Sequence, residues 1–294
     1  MHMYKAFGLQ FQSDFELPEL VPVDGEPDVT ICAGKLDGIF PDDIDVEQTY
    51  EAQPDAVWLY YEDTGTILVR NGNEIIIDLK ENVPPEVMRL RLLGHAFSIM
   101  LHQRGYLVLH SSSVIINGHA ISFVGESGEG KSTTAAYLNK CGYTHLSDDL
   151  LAIDLTDPKN PIVQPGFPQI KLWEEAATTM GDQVEDLPQI YPEFPKYSHA
   201  TNLNFATSPV PLKYIYVLDR GEEFGLETMR PQAAFVELVK HSFVAKLLEE
   251  TETMSQHFEQ CTLVTQAIPV RRFTRKIDLN QLSKLAELIE ADNS

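Results

Sequence analysis

The residues best suited to chemistry form one glycine-rich stretch, Gly125-Glu126-Ser127-Gly128-Glu129-Gly130-Lys131-Ser132, which is followed by Thr133. It matches G-x-x-x-x-G-K-[ST] at every fixed position. A strand-like apolar segment precedes it at 120–124, and a helical pattern follows at 133–140. Glycines let backbone N–H groups face phosphate oxygens, and a helix N-terminus adds partial positive charge. The stretch therefore predicts a site for the phosphates of a nucleoside triphosphate; the alternative is a glycine-rich turn without a ligand.

Within that stretch the lysine and the hydroxyl have separate tasks. Lys131 is expected to reach the β- and γ-phosphates, and Ser132 is expected to ligate Mg²⁺. The candidate nucleotide-binding residues are those from Gly125 to Thr133.

Two carboxylates, Asp148 and Asp149, stand 23 and 24 residues after Gly125, inside a strand-like segment at 143–153. Phosphoryl transfer needs a metal and a group that accepts the proton of the nucleophile. One carboxylate is suited to hold Mg²⁺ and the other to face an acceptor hydroxyl. His110 precedes the loop and is suited to hydrogen-bond an aspartate and tune its basicity. The alternatives are turn residues for the pair and a core histidine for His110.

The elements that must position these groups are predicted from periodicity and turn signals. Asn117-Gly118 between two apolar runs predicts a hairpin, so the strand that enters the loop should have an antiparallel partner and the sheet should be mixed. Apolar runs at 214–218 and 268–273 predict two further strands. Helices are predicted at 84–104, 232–248 and 254–263, and from Asp278 onward.

The first 83 residues favour strands. A single strand is predicted at 4–11 and another at 56–61, and strands at 66–70 and 74–78 flank the hairpin signal Asn71-Gly72-Asn73. The stretch 41–45 predicts a loop, and 155–211 is expected to hold loops with short elements. We therefore predict a smaller β-rich accessory domain at 1–83 and a second domain at 84–294.

Composition bounds the protein class. Of the 294 residues, 43% are hydrophobic, which is enough for a sizeable core, and no apolar run approaches the length of a transmembrane helix. The N-terminal residues lack the apolar block of a signal peptide, and the three cysteines are widely separated, so a cytoplasmic location is expected. The net charge of −22 argues against general nucleic-acid binding. It favours a basic protein or peptide partner, or it simply keeps the surface soluble.

At the histidine, the loop and the acidic pair the sequence resembles the HPr kinase/phosphorylase family. That family has a histidine before the hairpin, a G-[DE]-S-G-x-G-K-S loop and an Asp-Asp pair at similar spacing, and the resemblance covers about 107–154. It implies an α/β, phosphoenolpyruvate-carboxykinase-like P-loop domain with a mixed sheet, which uses ATP and Mg²⁺ to phosphorylate a serine hydroxyl. It implies that Asp149 is the general base with His110 as its partner, that Asp148 and Ser132 lie on the metal side, and that Lys131 binds ATP.

The family's Gly-rich signature after the acidic pair is replaced here by a different sequence at 165–175. The chain looks more like the HPr-kinase-related proteins found with lasso-peptide and similar peptide-modification systems. Those proteins share the segments at Ala6-Phe7-Gly8-Leu9 and Leu17-Pro18-Glu19-Leu20. For some of them the substrate is a serine of a precursor peptide.

These observations predict an ATP-dependent serine kinase that acts on a protein or peptide. The alternatives are a kinase for a small-molecule hydroxyl and a non-catalytic nucleotide sensor or scaffold. Further side chains are candidates for the metal or for the transferring phosphate, with a surface position as the alternative for each. They are Glu174, Glu175, Lys196, Arg271 and Arg272.

Overall fold

A computed structural model describes residues 1–36, 50–191 and 194–294. The loop predicted at 41–45 lies outside the described residues. Over the described ranges the chain forms α-helices and three sheets, and two of these sheets contain both parallel and antiparallel pairs. The predicted mixed α/β class is therefore confirmed.

The first sheet is built by the N-terminal residues. Its described strands are β1 (His2–Ala6), β2 (Leu9–Ser13), β3 (Val21–Pro22), β4 (Val29–Ala33), β5 (Tyr50–Gln53), β6 (Ala56–Tyr61), β7 (Gly65–Arg70) and β8 (Glu74–Leu79). They pair in the order β3-β1-β2-β4-β8-β7-β6-β5. The predicted hairpin at 66–78 is confirmed as β7 and β8, which Asn71 and Gly72 join with left-handed φ angles of 54° and 63°.

The single strand predicted at 4–11 is wrong. The chain reverses at Phe7 and Gly8, with φ angles of 51° and 74°, so that β1 and β2 form a hairpin. The Phe7 backbone N–H donates to Pro165 O at 2.7 Å, and its fully buried ring lies edge-on to Phe97 and Phe167. Tertiary packing therefore fixes this turn, whereas the apolar alternation of the sequence continues through it.

The helical segment predicted at 84–104 is confirmed. It consists of α1 (Pro85–Arg91), a π-helical turn (Leu92–Ala96) and α2 (Phe97–Gln103). Proline suits the first turn of α1 because its missing N–H would have no helical partner there. The segment packs on the first sheet, where Phe97 stacks on Phe11 with ring centroids 4.8 Å apart. The domain division at 83/84 stays a prediction.

The rest of the described chain supplies two further sheets and five α-helices. The strands are β9 (Leu107–Ile116), β10 (His119–Val124), β11 (Thr144–Ser147), β12 (Leu150–Asp154), β13 (Ile162–Gln164), β14 (Gln169–Trp173), β15 (Gln189–Tyr191), β16 (Phe194–Ala200), β17 (Val210–Arg220), β18 (Gly225–Thr228) and β19 (Val270–Arg275). The helices are α3 (Lys131–Lys140), α4 (Glu174–Met180), α5 (Pro231–Lys240), α6 (Met254–Ala267) and α7 (Leu282–Asn293). None of the described helices is both long and apolar enough to cross a membrane.

The second sheet is mixed, as predicted. Strand β10 is antiparallel to β9 and parallel to β17, and β17 is parallel to β19. Asn117 and Gly118, both with left-handed φ angles, make the predicted two-residue turn between β9 and β10. Because β10, β17 and β19 run in one direction, their carboxyl ends meet at one edge of the sheet, which is where open α/β sheets bind ligands.

The third sheet, in the order β14-β16-β15, lies in the segment for which only loops and short elements are predicted. Side chains alternate across a strand, and Ile170 and Leu172 of β14 face a hydrophobic cluster with Ala136 of α3 and Ala177 of α4. The other face of β14 carries Lys171 between Gln169 and Trp173. Strand β14 and helices α3 and α4 thereby pack around one hydrophobic cluster. This packing fixes the distance between α3 and β14.

The helix predicted at 232–248 ends earlier, at Lys240. The residues that follow pair with β9 instead, because the His110 N–H donates to His241 O at 2.9 Å and the Phe243 N–H donates to Val108 O at 3.1 Å. The last helix, α7, begins at Leu282 rather than at Asp278. The Asp278 side chain caps the short turn before it.

Removal of the Phe97 ring tests whether the helical segment and the first sheet share one core. Phe97→Ala should lower the free energy of unfolding by about 3–5 kcal/mol, because it deletes a fully buried ring and leaves a cavity between two elements. Urea denaturation followed by circular dichroism measures this. The control is Phe258→Ala, whose ring is 39% exposed on α6 and should cost much less. Equal effects of the two substitutions would contradict the shared core.

Candidate functional site

The glycine-rich loop, defined here as residues 125–132, joins β10 to α3 at the carboxyl edge of the second sheet. Two of its glycines are required by geometry. Gly125 has φ 155°, and a Cβ there would lie 3.0 Å from Leu218 O. Gly130 has φ 76° and forms the N-cap of α3. The first N–H groups of a helix have no intrahelical partner, so the loop and α3 together present donors with partial positive charge.

Lys131 lies over its own loop. Its Nζ donates to Gly125 O at 2.9 Å and to Glu126 O at 3.1 Å, and the residue is 6% exposed. Burial lowers the pKa of Lys131, against the opposing influence of the Asp149 and Asp148 charges. The Lys131 ammonium therefore lies against the carbonyl groups of the loop. It is also close enough to Asp148 and Asp149 for their charges to affect its pKa.

Asp148 is the buried member of the acidic pair, which connects β11 to β12. Its Oδ1 accepts from Ser112 Oγ at 2.5 Å, and its Oδ2 accepts from the Lys171 backbone N–H at 2.8 Å. Burial raises its pKa, and the neighbouring Asp149 charge raises it further. Ser112 Oγ also lies 3.4 Å from Ser132 Oγ. The two predicted metal-side residues are thus separated by one serine hydroxyl.

Asp149 is the more exposed member, and it has a left-handed φ of 66°, a conformation that aspartate tolerates better than most residues. Its Oδ2 lies 2.6 Å from Lys171 Nζ, and its Oδ1 lies 3.7 Å from His110 Nε2. Burial favours the protonated acid, but the Lys171 ammonium and then His110 more than offset it, so the pKa of Asp149 lies well below its usual value. Asp149 is therefore an ionised carboxylate.

His110 is held beside Asp149 by its place on β9. Its ring lies edge-on to Phe243 at 5.6 Å between centroids, and its side chain is 39% exposed. The pairing of β9 with the segment after α5 fixes both partners. The histidine is therefore a half-exposed neighbour of the carboxylate rather than a fully buried core residue.

A cavity of about 410 Å³ brings most of these groups together. It is lined by the predicted catalytic residues His110, Lys131 and Asp149. Of the predicted nucleotide-binding residues, those that line it are Ser127, Gly128, Gly130, Lys131, Ser132 and Thr133.

The remaining residues of the glycine-rich loop, and Asp148, are not among the described residues that line this cavity. Glu126 forms an ion pair with Lys240 at 2.6 Å, and Glu129 forms one with Arg220 at 2.6 Å. Gly125 lies beneath the loop against β17, and Asp148 is covered by its hydrogen bonds.

The further candidates from the sequence divide in two. Lys196 and Glu175 line the cavity, whereas Glu174, the first residue of α4, is not among its lining residues. Arg271 instead pairs with Asp292, and Arg272 lies among three carboxylates away from the cavity. Within the described ranges, no cluster of three or more His, Cys, Asp and Glu side chains is arranged to hold a metal.

Lys171 is a residue that sequence reasoning missed. It is 6% exposed, its ammonium binds Asp149, and its backbone N–H binds Asp148. Burial lowers its pKa, but the Asp149 carboxylate more than offsets this, so the pKa of Lys171 is raised. Strand β14 lies in a segment whose sequence is typical of loops. Only the pairing of β14 with β16 shows that Lys171 is on a strand and faces the acidic pair.

Arg275 is the second missed residue. It ends β19, lines the cavity and is 5% exposed. Its Nη2 donates to Glu129 O, whereas Nε and Nη1 are buried without a hydrogen-bond partner in the described part of the chain. A buried guanidinium with unused donors is expected to bind an anion. The parallel order of β10, β17 and β19 would have indicated this residue, but that order does not follow from the sequence.

No protein-family model matches the sequence, and no curated protein matches it. Among solved structures, the Hpr(Ser) kinase/phosphatase from Coxiella burnetii is similar, with 10% sequence identity and a TM-score of 0.34. The similarity covers 63% of this chain and 95% of that one. It is a distant structural relation.

The Lys171–Asp149 pair should stabilise the fold as a unit. Lys171→Met and Asp149→Asn should each lower the free energy of unfolding by about 3–5 kcal/mol, because each leaves a buried charge without its partner. The double variant should lose clearly less than the sum of the two. Urea denaturation of the four proteins measures this cycle. Additive losses would show that the two side chains do not depend on each other.

Proposed function

We propose that the cavity binds ATP with Mg²⁺ and that the protein transfers the γ-phosphoryl group to a serine hydroxyl of a protein or peptide. One observation carries the proposal: a phosphate-binding loop with its lysine and an ionised carboxylate, Asp149, line the same cavity. A phosphate site alone favours binding. A phosphate site that faces a proton acceptor favours transfer to a hydroxyl.

Electrostatics supports a phosphate ligand. In a chain of net charge −22, basic side chains outnumber acidic ones among the residues that line this cavity. The basic ones are Lys131, Lys171, Lys196, Arg275 and Lys276, and the acidic ones are Asp149, Glu175 and Asp278. The N–H groups of the loop and of α3 add to the attraction. In this assignment, Lys131 and Arg275 contact the nucleotide phosphates.

The oxygen donors present fit Mg²⁺. The ion prefers hard oxygen ligands and is usually held by one or two carboxylates together with substrate phosphates. Ser132 and Asp148 would supply the protein ligands, and the Ser112 hydroxyl already holds them close to one another. Bound Mg²⁺ would neutralise negative charge on the phosphate oxygens.

Asp149 is assigned as the group that accepts the proton of the acceptor hydroxyl. It is ionised, it faces the cavity, and Lys171 and His110 fix its two oxygens. The serine as acceptor is favoured by the resemblance of the histidine, loop and acidic pair to the HPr kinase/phosphorylase family. The same resemblance favours a phosphoenolpyruvate-carboxykinase-like nucleotide domain at 84–294 with a β-rich accessory domain at 1–83.

Nucleotide binding and transfer are tested together with Lys131→Ala. Calorimetry with ADP should detect binding to the wild type, and γ-labelled ATP with Mg²⁺ should label a serine-containing acceptor. Turnover of the variant should fall at least about a hundredfold, the usual scale for the loss of one preorganised stabilising group. The control is Lys140→Ala at the exposed end of the same helix. Near-native activity of Lys131→Ala, or binding with no labelled hydroxyl acceptor, would remove the kinase proposal.

The two aspartates should give different phenotypes. Asp149→Asn should lower turnover by about 10²–10⁴ with little change in nucleotide affinity, because the amide cannot take the proton. Asp148→Asn should raise the Mg²⁺ concentration that gives half activity, because hard cations prefer charged oxygens. Steady-state rates across a magnesium titration separate the two, with the exposed Asp157→Asn as the control. Exchanged phenotypes would exchange the roles, and two silent variants would discard the pair.

A further inference from the structure

A second cavity, of about 330 Å³, lies next to the first and shares Lys171 with it. One wall comes from the N-terminal part of the chain, with Glu19, and from α1, with Glu86 and Arg89. The opposite wall comes from β14 and β16. The cavity is therefore formed between the third sheet on one side and α1 with the loop at Glu19 on the other.

One face of the third sheet continues through both cavities. Alternation along β14 and its antiparallel register with β16 place six side chains on this face. The cross-strand pairs are Gln169 with Ala200, Lys171 with Ser198, and Trp173 with Lys196. The last pair lines the first cavity, the first pair lines the second, and Lys171 lines both. The two cavities are thus the two ends of one groove, and Lys171 marks the boundary.

The groove offers an acceptor an approach on the side opposite the glycine-rich loop. In phosphoryl transfer the attacking and leaving oxygens lie roughly in line, on opposite sides of the transferred group. The glycine-rich loop occupies the first cavity's side of the groove, and the Asp149 carboxylate lies 2.6 Å from the boundary ammonium of Lys171. A hydroxyl that enters from the second cavity therefore approaches Asp149 from the side away from the loop.

Glu19 gives the second cavity its chemical preference. Its Oε1 accepts from Arg89 Nε at 2.8 Å, but its Oε2 is buried without a hydrogen-bond partner in the described ranges. A buried carboxylate oxygen without a donor is costly, so a ligand that brings a donor is favoured. Arg89 is matched by Glu19 and Lys171 by Asp149, whereas Glu86 adds a further negative charge. The cavity therefore favours a cation.

The charge of the whole chain acts in the same direction. A net charge of −22 attracts a basic peptide over long range and raises its association rate. Local and overall electrostatics thus favour one kind of occupant.

We propose that the second cavity is the acceptor site and that its ligand is a serine peptide with a lysine or arginine near the serine, whose cation binds Glu19. The inference rests on the proposed function. In the transfer step, the serine hydroxyl gives its proton to Asp149 and its oxygen forms a bond to the γ-phosphorus. The bond from that phosphorus to the bridging oxygen breaks, and ADP leaves with the electron pair.

Matched peptides test the charge preference. Short peptides with one central serine carry a single Lys, Gln or Glu at each flanking position in turn, and kcat/KM is measured with γ-labelled ATP. The wild type should prefer the best Lys peptide over its Gln counterpart by about tenfold or more, because hydrogen bonds between charged groups are the stronger ones. Glu19→Gln should remove most of this preference. Glu16→Gln, which makes the same charge change at an exposed position lining neither cavity, should keep it.

A cavity-filling variant tests the location independently of Glu19. Ala200 lies at the exposed end of the groove, and Ala200→Phe should raise the peptide KM at least about tenfold while calorimetry shows the wild-type affinity for ADP. Ala233→Phe, at an exposed position on α5 outside both cavities, is the control.

The outcomes separate this inference from the proposed function. Equal use of Lys and Gln peptides by the wild type, or an unchanged peptide KM in Ala200→Phe, overturns the acceptor site and leaves the kinase proposal standing. Binding of ADP without labelling of any peptide also overturns the acceptor site, and the kinase proposal falls with it only when no other hydroxyl acceptor is labelled either. Failure of the wild type to bind ADP overturns the proposed function itself.

Discussion

The buried ion pair between Lys171 and Asp149 is the contact on which the geometry of the site depends. It joins the turn between β11 and β12, which belongs to the second sheet, to β14, which belongs to the third. The backbone N–H of the same lysine binds Asp148, so a single residue orients both carboxylates. Because desolvation makes each charge costly without the other, the two sheets have one favourable relative position.

Strand β9 is the second organising element. It carries His110 towards Asp149 and Ser112 towards Asp148 and Ser132, and its far end forms the hairpin with β10 that leads into the glycine-rich loop. One long strand thereby sets the spacing between the proton-accepting end of the site and its phosphate-binding end. The pairing of the segment after α5 with β9 holds the histidine end of this strand.

Local signals predicted the parts of the molecule whose structure is decided locally. The hairpin at Asn117-Gly118, the loop and α3, and the strands around the acidic pair all follow from turn chemistry and periodicity. Phe7 could not be placed in a turn, because its conformation is selected by Phe97 and Phe167, which are distant in sequence. Lys171 and Arg275 could not be predicted for the same reason. Each lies in a strand, and its role depends on which side chains the neighbouring strands of the sheet place beside it.

The position of Phe7 also determines how the chain can be divided. Its ring contacts Phe167, and its N–H binds Pro165, two residues that lie just before β14. The same hydrophobic cluster contains residues from β1, β2, α2, β9 and β12. A fragment that starts at residue 84 would leave Phe97 and Phe167 facing water and would release the connection that leads to Lys171. The part of the chain from residue 84 onward therefore depends on the N-terminal sheet to complete its hydrophobic core. If that part were produced alone, the apolar side chains that it newly exposes would have to be replaced by polar ones or covered by a second protein.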